Sequence, residues 1–405
     1  MIKVFTGLNQ ILTLSEAQRK DGRNLLPEDL SLVTQGSVVF DENSILWVGE
    51  QKSIPLEYQS AKTFDLSGHV LTPEIVDSHT HLVFGGDRAQ EYADRLNGKS
   101  YEEIAKRGGG ILLTMNQTNS ASLEILFNEA CSRIERIHSY GIGTIEIKSG
   151  YGLNFDKEFQ ISLLIDRLKK QFAPRIQILN TFLAAHDVPK SFGTSAQYLS
   201  QVVLPLLEKL APLKIIDAVD IFHEKNYFTE NDVKMLFEKA QSLKIACKSH
   251  ADELNDNDGA TLASSYYALS ADHLLKISDS GIKNLSESST VATLLPGTAF
   301  FLGKPLAPAR KMLDARVKVA IASDYNPGSC HCDNLLLIAS ISAAQLKINQ
   351  AELWCGITLN AAHALGLKNQ GAIVVGMKPR FSLFKTESLS HITYNWGRNF
   401  SVSLP

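Results

Sequence analysis

From about Val76 onward the chain alternates between two kinds of stretch, and no other feature limits its fold so strongly. Eight short runs are rich in β-branched residues: EIVDSHTHLV, IGTIEIKSG, RIQILNTFLAAH, DAVDIFH, KIACKSH, ALSADH, TVATLLPG and VKVAIASD. Between them, stretches such as LEILFNEACSRIERIHSY, DKEFQISLLIDRLKKQF and TENDVKMLFEKAQSL place apolar residues three and four apart, the spacing of helices with one buried face. Eight strand–helix units in roughly 250 residues predict an α/β fold of the (β/α)8, TIM-like barrel type. A doubly wound open sheet would instead need a Gly-rich phosphate loop after its first strand, and no such spacing is present.

The flanks have a different pattern. Near the start, GSVVFDENSILWVGE reads as two strands around a turn-prone Asp-Glu-Asn, and near the end GAIVVGMKPRFSLFKTE reads as further strand. These flanks predict a small β-sandwich domain assembled from both termini, residues 1–70 and 371–405, with the barrel of residues 71–370 between them.

Composition excludes several partners. A net charge of -3 over 405 residues argues against nucleic acid and against an anionic membrane. No apolar run approaches the roughly 20 residues that span a bilayer, and the first residues carry no export signal. Five irregularly spaced cysteines suit a reducing cytoplasm better than a disulfide framework.

The polar residues collect where barrel enzymes keep their chemistry, at the C-terminal ends of strands. His79 and His81 end the first run, His186 follows the third, His223 ends the fourth, His250 the fifth, His273 the sixth and Asp324 the eighth. Alternate strand residues share a face, so the HxH pair points two imidazoles the same way. A lone histidine is usually a hydrogen-bonded core or surface residue. This recurrence at strand ends favours a metal site of His79, His81, His250 and Asp324, three imidazoles and a carboxylate suited to one Zn2+ or iron ion (Fe2+/Fe3+). Such an ion lowers the pKa of a bound water toward about 7. Glu253, three residues after His250, is placed to move a proton from that water to a leaving nitrogen. His273 is placed to hold a scissile carbonyl or the attacking water. In SDYNPGSCHCDN, Asn-Pro-Gly sets a tight turn whose backbone N–H groups near Gly328 and Ser329 would suit a carboxylate. Cys330-His331-Cys332 lacks the second ligand pair of a structural zinc site. A second metal would want a lysine ending strand four, which here ends Ile221-Phe222-His223-Glu224. Lys148, on strand two, reads as a surface or substrate-side residue.

The HxH strand, the later histidines and the strand-eight aspartate resemble the amidohydrolase superfamily. HLVFGGDRAQEY, GKSYEEIAKRGGGI, IEIKSGYGL, TFLAAHDVP, LLPGTAFFL and SDYNPGS narrow the resemblance, over residues 70 to 375, to the imidazolonepropionase family. What it implies is hydrolysis of the lactam of 4-imidazolone-5-propanoate to N-formimidoyl-L-glutamate, a small-molecule reaction of histidine degradation carried out by a homodimer. It carries the metal-ligand role to His79, His81, His250 and Asp324. It gives Arg88 the substrate propanoate, and gives Tyr151, His186, Asn326, Gly328 and Ser329 the ring and carboxylate. Glu253 shuttles the proton beside His273, with either Glu253 or Asp324 as its first acceptor. Two other readings share parts of the pattern. A deaminase of cytosine- or guanine-like rings would use the same ligand set but has no propanoate for Arg88. A non-catalytic barrel scaffold would typically lose the ligands retained here. Departures from the superfamily pattern are Glu74 where glycine is common, which would reshape the entry to strand one and substrate access, the run GMKPRFSLF, and Cys330-His331-Cys332, which would also bear on access.

Overall fold

The structure, a computed structural model, describes residues 1–99, 103 and 108–405. Half of the GKSYEEIAKRGGGI motif therefore lies outside the described residues. Seven strands from the two ends of the chain form one sheet: β1 (Lys3–Leu12), β2 (Leu32–Phe40), β3 (Ile45–Glu50), β4 (Lys62–Asp65), β5 (His69–Pro73), β14 (Phe381–Lys385) and β15 (Ser401–Val402). Its order is β15-β14-β5-β1-β2-β3, with β4 pairing β1. The Asp-Glu-Asn turn sits between β2 and β3, where Asp41 Oδ1 accepts the N–H groups of Asn43 and Ser44 at 2.8 Å each. The sequence predicts strand through GAIVVGMKPRFSLF, but only its last part is strand. Gly371 and Gly376 take φ of 97° and 90°, which breaks any extended run before Phe381.

The predicted barrel is present. All eight runs contribute parallel neighbours in chain order: β6 (Ile75–Asp77), β7 (Ile142–Lys148), β8 (Gln177–Ala185), β9 (Ala218–His223), β10 (Ala246–Ala251), β11 (Ser270–His273), β12 (Val291–Leu294) and β13 (Val319–Ile321). Intervening helices start at side-chain caps. Ser122 caps Leu123–Ser139, Asn154 caps Phe155–Phe172, and Thr229 with Asp232 forms a capping box on Glu230–Ser242. The two ends of the sheet meet beyond the strands proper. Thr80 bridges Tyr325, His81 N donates to Tyr325 O at 2.9 Å and Asp324 N donates to His79 O at 3.0 Å. The first strand is thus shorter than EIVDSHTHLV suggests, and the HxH segment is the seam that closes the barrel.

Two departures from the superfamily pattern turn out to be partners. Glu74 joins β5 to β6 at the end of the barrel opposite the histidines. Its Oε1 accepts from Arg380 Nε at 2.7 Å and from Thr144 Oγ1, while Arg380 Nη2 donates to Gly143 O at 3.0 Å. Glu74 therefore does not shape substrate access; it fastens the terminal sheet to the barrel floor. The pair is part-buried, Glu74 more so than Arg380, and removing one member leaves the other charge poorly compensated. Arg380→Met is expected to lower stability by about 3 kcal/mol, measured by urea unfolding, with Glu74→Leu/Arg380→Met recovering most of the loss. An unchanged unfolding midpoint in the single variant would remove this role.

Candidate active site

Burial and hydrogen bonding hold the HxH imidazoles in place. His79 is fully buried, and its Nδ1 lies 2.6 Å from Asp272 Oδ2. With the proton directed at that carboxylate, the Nε2 lone pair faces His81, whose Nε2 is 3.1 Å away. A proton shared by the two nitrogens, or a cation bound to both, satisfies that spacing. Asp324 Oδ1 is 3.5 Å from both Nε2 atoms, and its Oδ2 accepts from Thr298 Oγ1. His250 completes the group: its ring centroid is 4.6 Å from that of His79, and its Nε2 has no hydrogen-bond partner. Among the described residues, His79, His81 and His250 form the one group of His, Cys, Asp or Glu whose ligand atoms are close enough to share a metal ion, all within 4.8 Å. Buried imidazole nitrogens converging with a carboxylate, that of His250 without a partner, fit a tetrahedral divalent ion. Burial, reinforced by Lys148 and His250, holds His79 well below the ordinary histidine range; burial beside His186 and His250 does the same for His81. Both are therefore neutral, as ligands must be.

A cavity of about 130 Å3 opens above this cluster, and ten of the twelve predicted site residues line it. The other two are His79, buried beneath, and Gly328, which lines an adjoining outer cavity of about 750 Å3. His273 Nδ1 and Glu253 Oε2 are 3.8 Å apart, so the expected proton-handling pair does meet. His273 and Asp324 both take left-handed backbone conformations, φ 77° and 52°, strain of the kind that collects at functional sites. His186 stacks on His81 at 5.0 Å, its Nδ1 3.1 Å from Gly150 O, and burial beside His250 pushes it down to about 3. Tyr151 is placed by a residue outside the motifs quoted above. Glu158 accepts N–H bonds from Gly150, Gly152 and Leu153 and so shapes the SGYG loop around it.

Arg88 reaches the same cavity. Its Nε and Nη2 donate to Glu91 Oε2 at 2.8 and 2.7 Å, and Glu91 Oε1 accepts from Gly110 N at 2.9 Å. The remaining nitrogen, Nη1, lies over Gly328, where an added Cβ would stand 1.8 Å from it. A side chain at 328 would therefore push the arginine fork aside.

Four expectations are corrected. The N–H groups of Gly328 and Ser329 both donate to Asn326 Oδ1 at 2.8 Å, so they build the turn and are not open to a carboxylate. His223 does not join the other histidines; it is buried beside Asp252 and Glu224 and lines neither cavity. Cys330, His331 and Cys332 also line neither cavity, and His331 packs on Tyr325 and Phe84. Lys148 is neither on the surface nor beside substrate. It is fully buried, 2.6 Å from Asp220 and 2.9 Å from Glu146.

Residues 70–403 match the amidohydrolase family. An imidazolonepropionase of Bdellovibrio bacteriovorus is 38% identical over 91% of this chain and 87% of its own length. One from Bacillus cereus is 39% identical over 96% and 92%. The chain belongs to the imidazolonepropionase family of amidohydrolases. Solved amidohydrolase-fold structures superpose on it with far lower identity. A zinc-complexed atrazine chlorohydrolase of Arthrobacter aurescens has a TM-score of 0.68 at 14% identity, covering 96% of this chain and 88% of that one. A zinc-bound adenosine deaminase of Xanthomonas campestris has a TM-score of 0.69 at 15% identity, covering 98% and 90%. These likenesses establish the barrel architecture. For this amidohydrolase the site geometry has a direct test. Purified protein is expected to carry one divalent ion per chain by elemental analysis, and His250→Ala clearly less, since one of the four ligands is lost. Full metal content in His250→Ala would refute the cluster as the site.

Proposed function

We propose that this chain hydrolyses 4-imidazolone-5-propanoate to N-formimidoyl-L-glutamate, using one divalent ion held by His79, His81, His250 and Asp324. The observation that carries this reading is the guanidinium of Arg88 in the same cavity as the imidazole cluster, in a chain whose relatives of 38–39% identity are imidazolonepropionases. Three nitrogens and one oxygen suit zinc and iron alike. When bound, the ion supplies an electrophile for the lactam carbonyl and makes water acidic enough to attack near neutral pH.

The chain's own groups supply the rest. Arg88, fixed by Glu91 through two of its nitrogens, keeps Nη1 for the propanoate, a charge-assisted contact. Tyr151 and His186 flank the ring, and Phe222 closes the wall beside His186. Asn326 acts by building the turn that places Ser329 at the cavity rim. Glu253 accepts a proton as water adds to the carbonyl carbon and returns it to the ring nitrogen as the C–N bond breaks. His273, beside Glu253, hydrogen-bonds the carbonyl oxygen or the water as charge develops.

A hydrogen bond to a charged group contributes about 1.5–3 kcal/mol. Arg88→Ala is therefore expected to raise KM about 10- to 100-fold while metal content stays at one ion per chain. Gly328→Ala is expected to raise KM in the same direction by displacing the guanidinium, with little change in melting temperature. The assay follows loss of imidazolone absorbance and appearance of formimidoylglutamate. Unchanged KM in Arg88→Ala, or no turnover of this substrate by the metal-loaded parent, would overturn the assignment.

A further inference from the structure

Barrel interiors are normally filled by branched apolar side chains. Here the layer directly beneath the imidazoles is ionic. Glu146 and Lys148 on β7, Asp220 on β9, Lys248 on β10 and Asp272 on β11 have no solvent exposure. Lys148 Nζ lies 2.6 Å from Asp220, 2.9 Å from Glu146 and 3.5 Å from Asp272. Lys248 Nζ lies 2.8 Å from Glu146, 3.0 Å from Ser78 O and 3.9 Å from Asp272. Burial disfavours an ammonium, but Asp220, Glu146 and Asp272 together hold Lys148 above the ordinary lysine range.

Stability alone is a poor reason for such a layer. Replacing buried ion pairs by well-packed apolar side chains is often neutral or stabilising. The contacts point upward instead. Asp272 Oδ2 is 2.6 Å from His79 Nδ1, a hydrogen bond, and Asp220 Oδ2 is 3.1 Å from His250 Nδ1, a close approach without hydrogen-bond alignment. The same two oxygens face the Lys148 ammonium. One cation on strand two thus stands behind carboxylates on strands four and six, and those stand behind imidazoles from strands one and five. Orientation of a ligating imidazole by a carboxylate at its far nitrogen fixes which nitrogen is left bare.

We propose that Lys148 is a positioning residue for the metal: by pinning Asp220 and Asp272 it turns His250 and His79 so that both present Nε2 to one ion. This rests on the metal-site reading above, and its test reads metal affinity without turnover. Zinc dissociation constants would be measured on the full chain by chelator competition. Lys148→Met is expected to weaken zinc binding about 10- to 100-fold, the range for loss of such supporting partners. Lys248→Met, which reaches only Asp272 of the pair and at 3.9 Å, is expected to weaken it less. Lys148→Met/Glu146→Gln removes one charge of each sign, so it keeps the layer's balance and remains readable if the single variant folds poorly. It is expected to regain the parent's metal-free melting temperature while its zinc affinity stays weak. Zinc affinity within twofold of the parent in Lys148→Met, or full recovery in the double variant, would overturn the proposal. A parent that takes up no zinc or iron would instead remove the metal-site reading itself.

Discussion

The seam between the first and last barrel strands is the contact on which everything else depends. Two backbone hydrogen bonds, His81 N to Tyr325 O and Asp324 N to His79 O, close the cylinder. The same two bonds bring residues some 245 positions apart into one cluster. A carboxylate and two imidazoles from the chain's distant ends are thus aligned by main-chain geometry, before any side chain chooses a rotamer. Closing the barrel and assembling the site are one event.

The barrel's two ends are then used differently. At the N-terminal end, Glu74 and Arg380 tie the barrel to the sheet made from both termini, a contact that serves stability. At the C-terminal end, left-handed residues, a side-chain-built turn and two adjoining cavities serve chemistry. Between them lies the buried ionic layer, which isolates neither end. Its ammonium groups and carboxylates connect the packed interior to the imidazoles above, by a hydrogen bond at His79 and a close approach at His250.

Much of this was legible in the residues. Strands ending in histidine or aspartate announce an inward or mouthward polar group, because an apolar strand tolerates one only where it has a partner. Hence the sequence itself marks His79, His81, His250, His273 and Asp324, and Glu253 three positions beyond His250. The ionic layer was harder to see. Lys148 in IEIK, Asp220 in AVDIF and Lys248 in ACKSH look like isolated charges, since each partner lies on another strand. A charge in the middle of an otherwise apolar strand was the available signal. The turn at Asn326 is hidden in the sequence for a local reason: N–H groups that look free in a Pro-Gly turn are taken by a side chain two and three residues earlier.

The sequence by itself determined the element order, the eight-strand count and the face on which the paired imidazoles stand, because these follow from periodicities of two and 3.6 and from local capping. It also carried the family motifs. Tertiary structure alone decided which carboxylate meets which imidazole, that Glu74 and Arg380 are partners, and that Lys148 is interior. Those facts depend on lateral strand register and closure, interactions between residues far apart in the chain, and no local pattern encodes them.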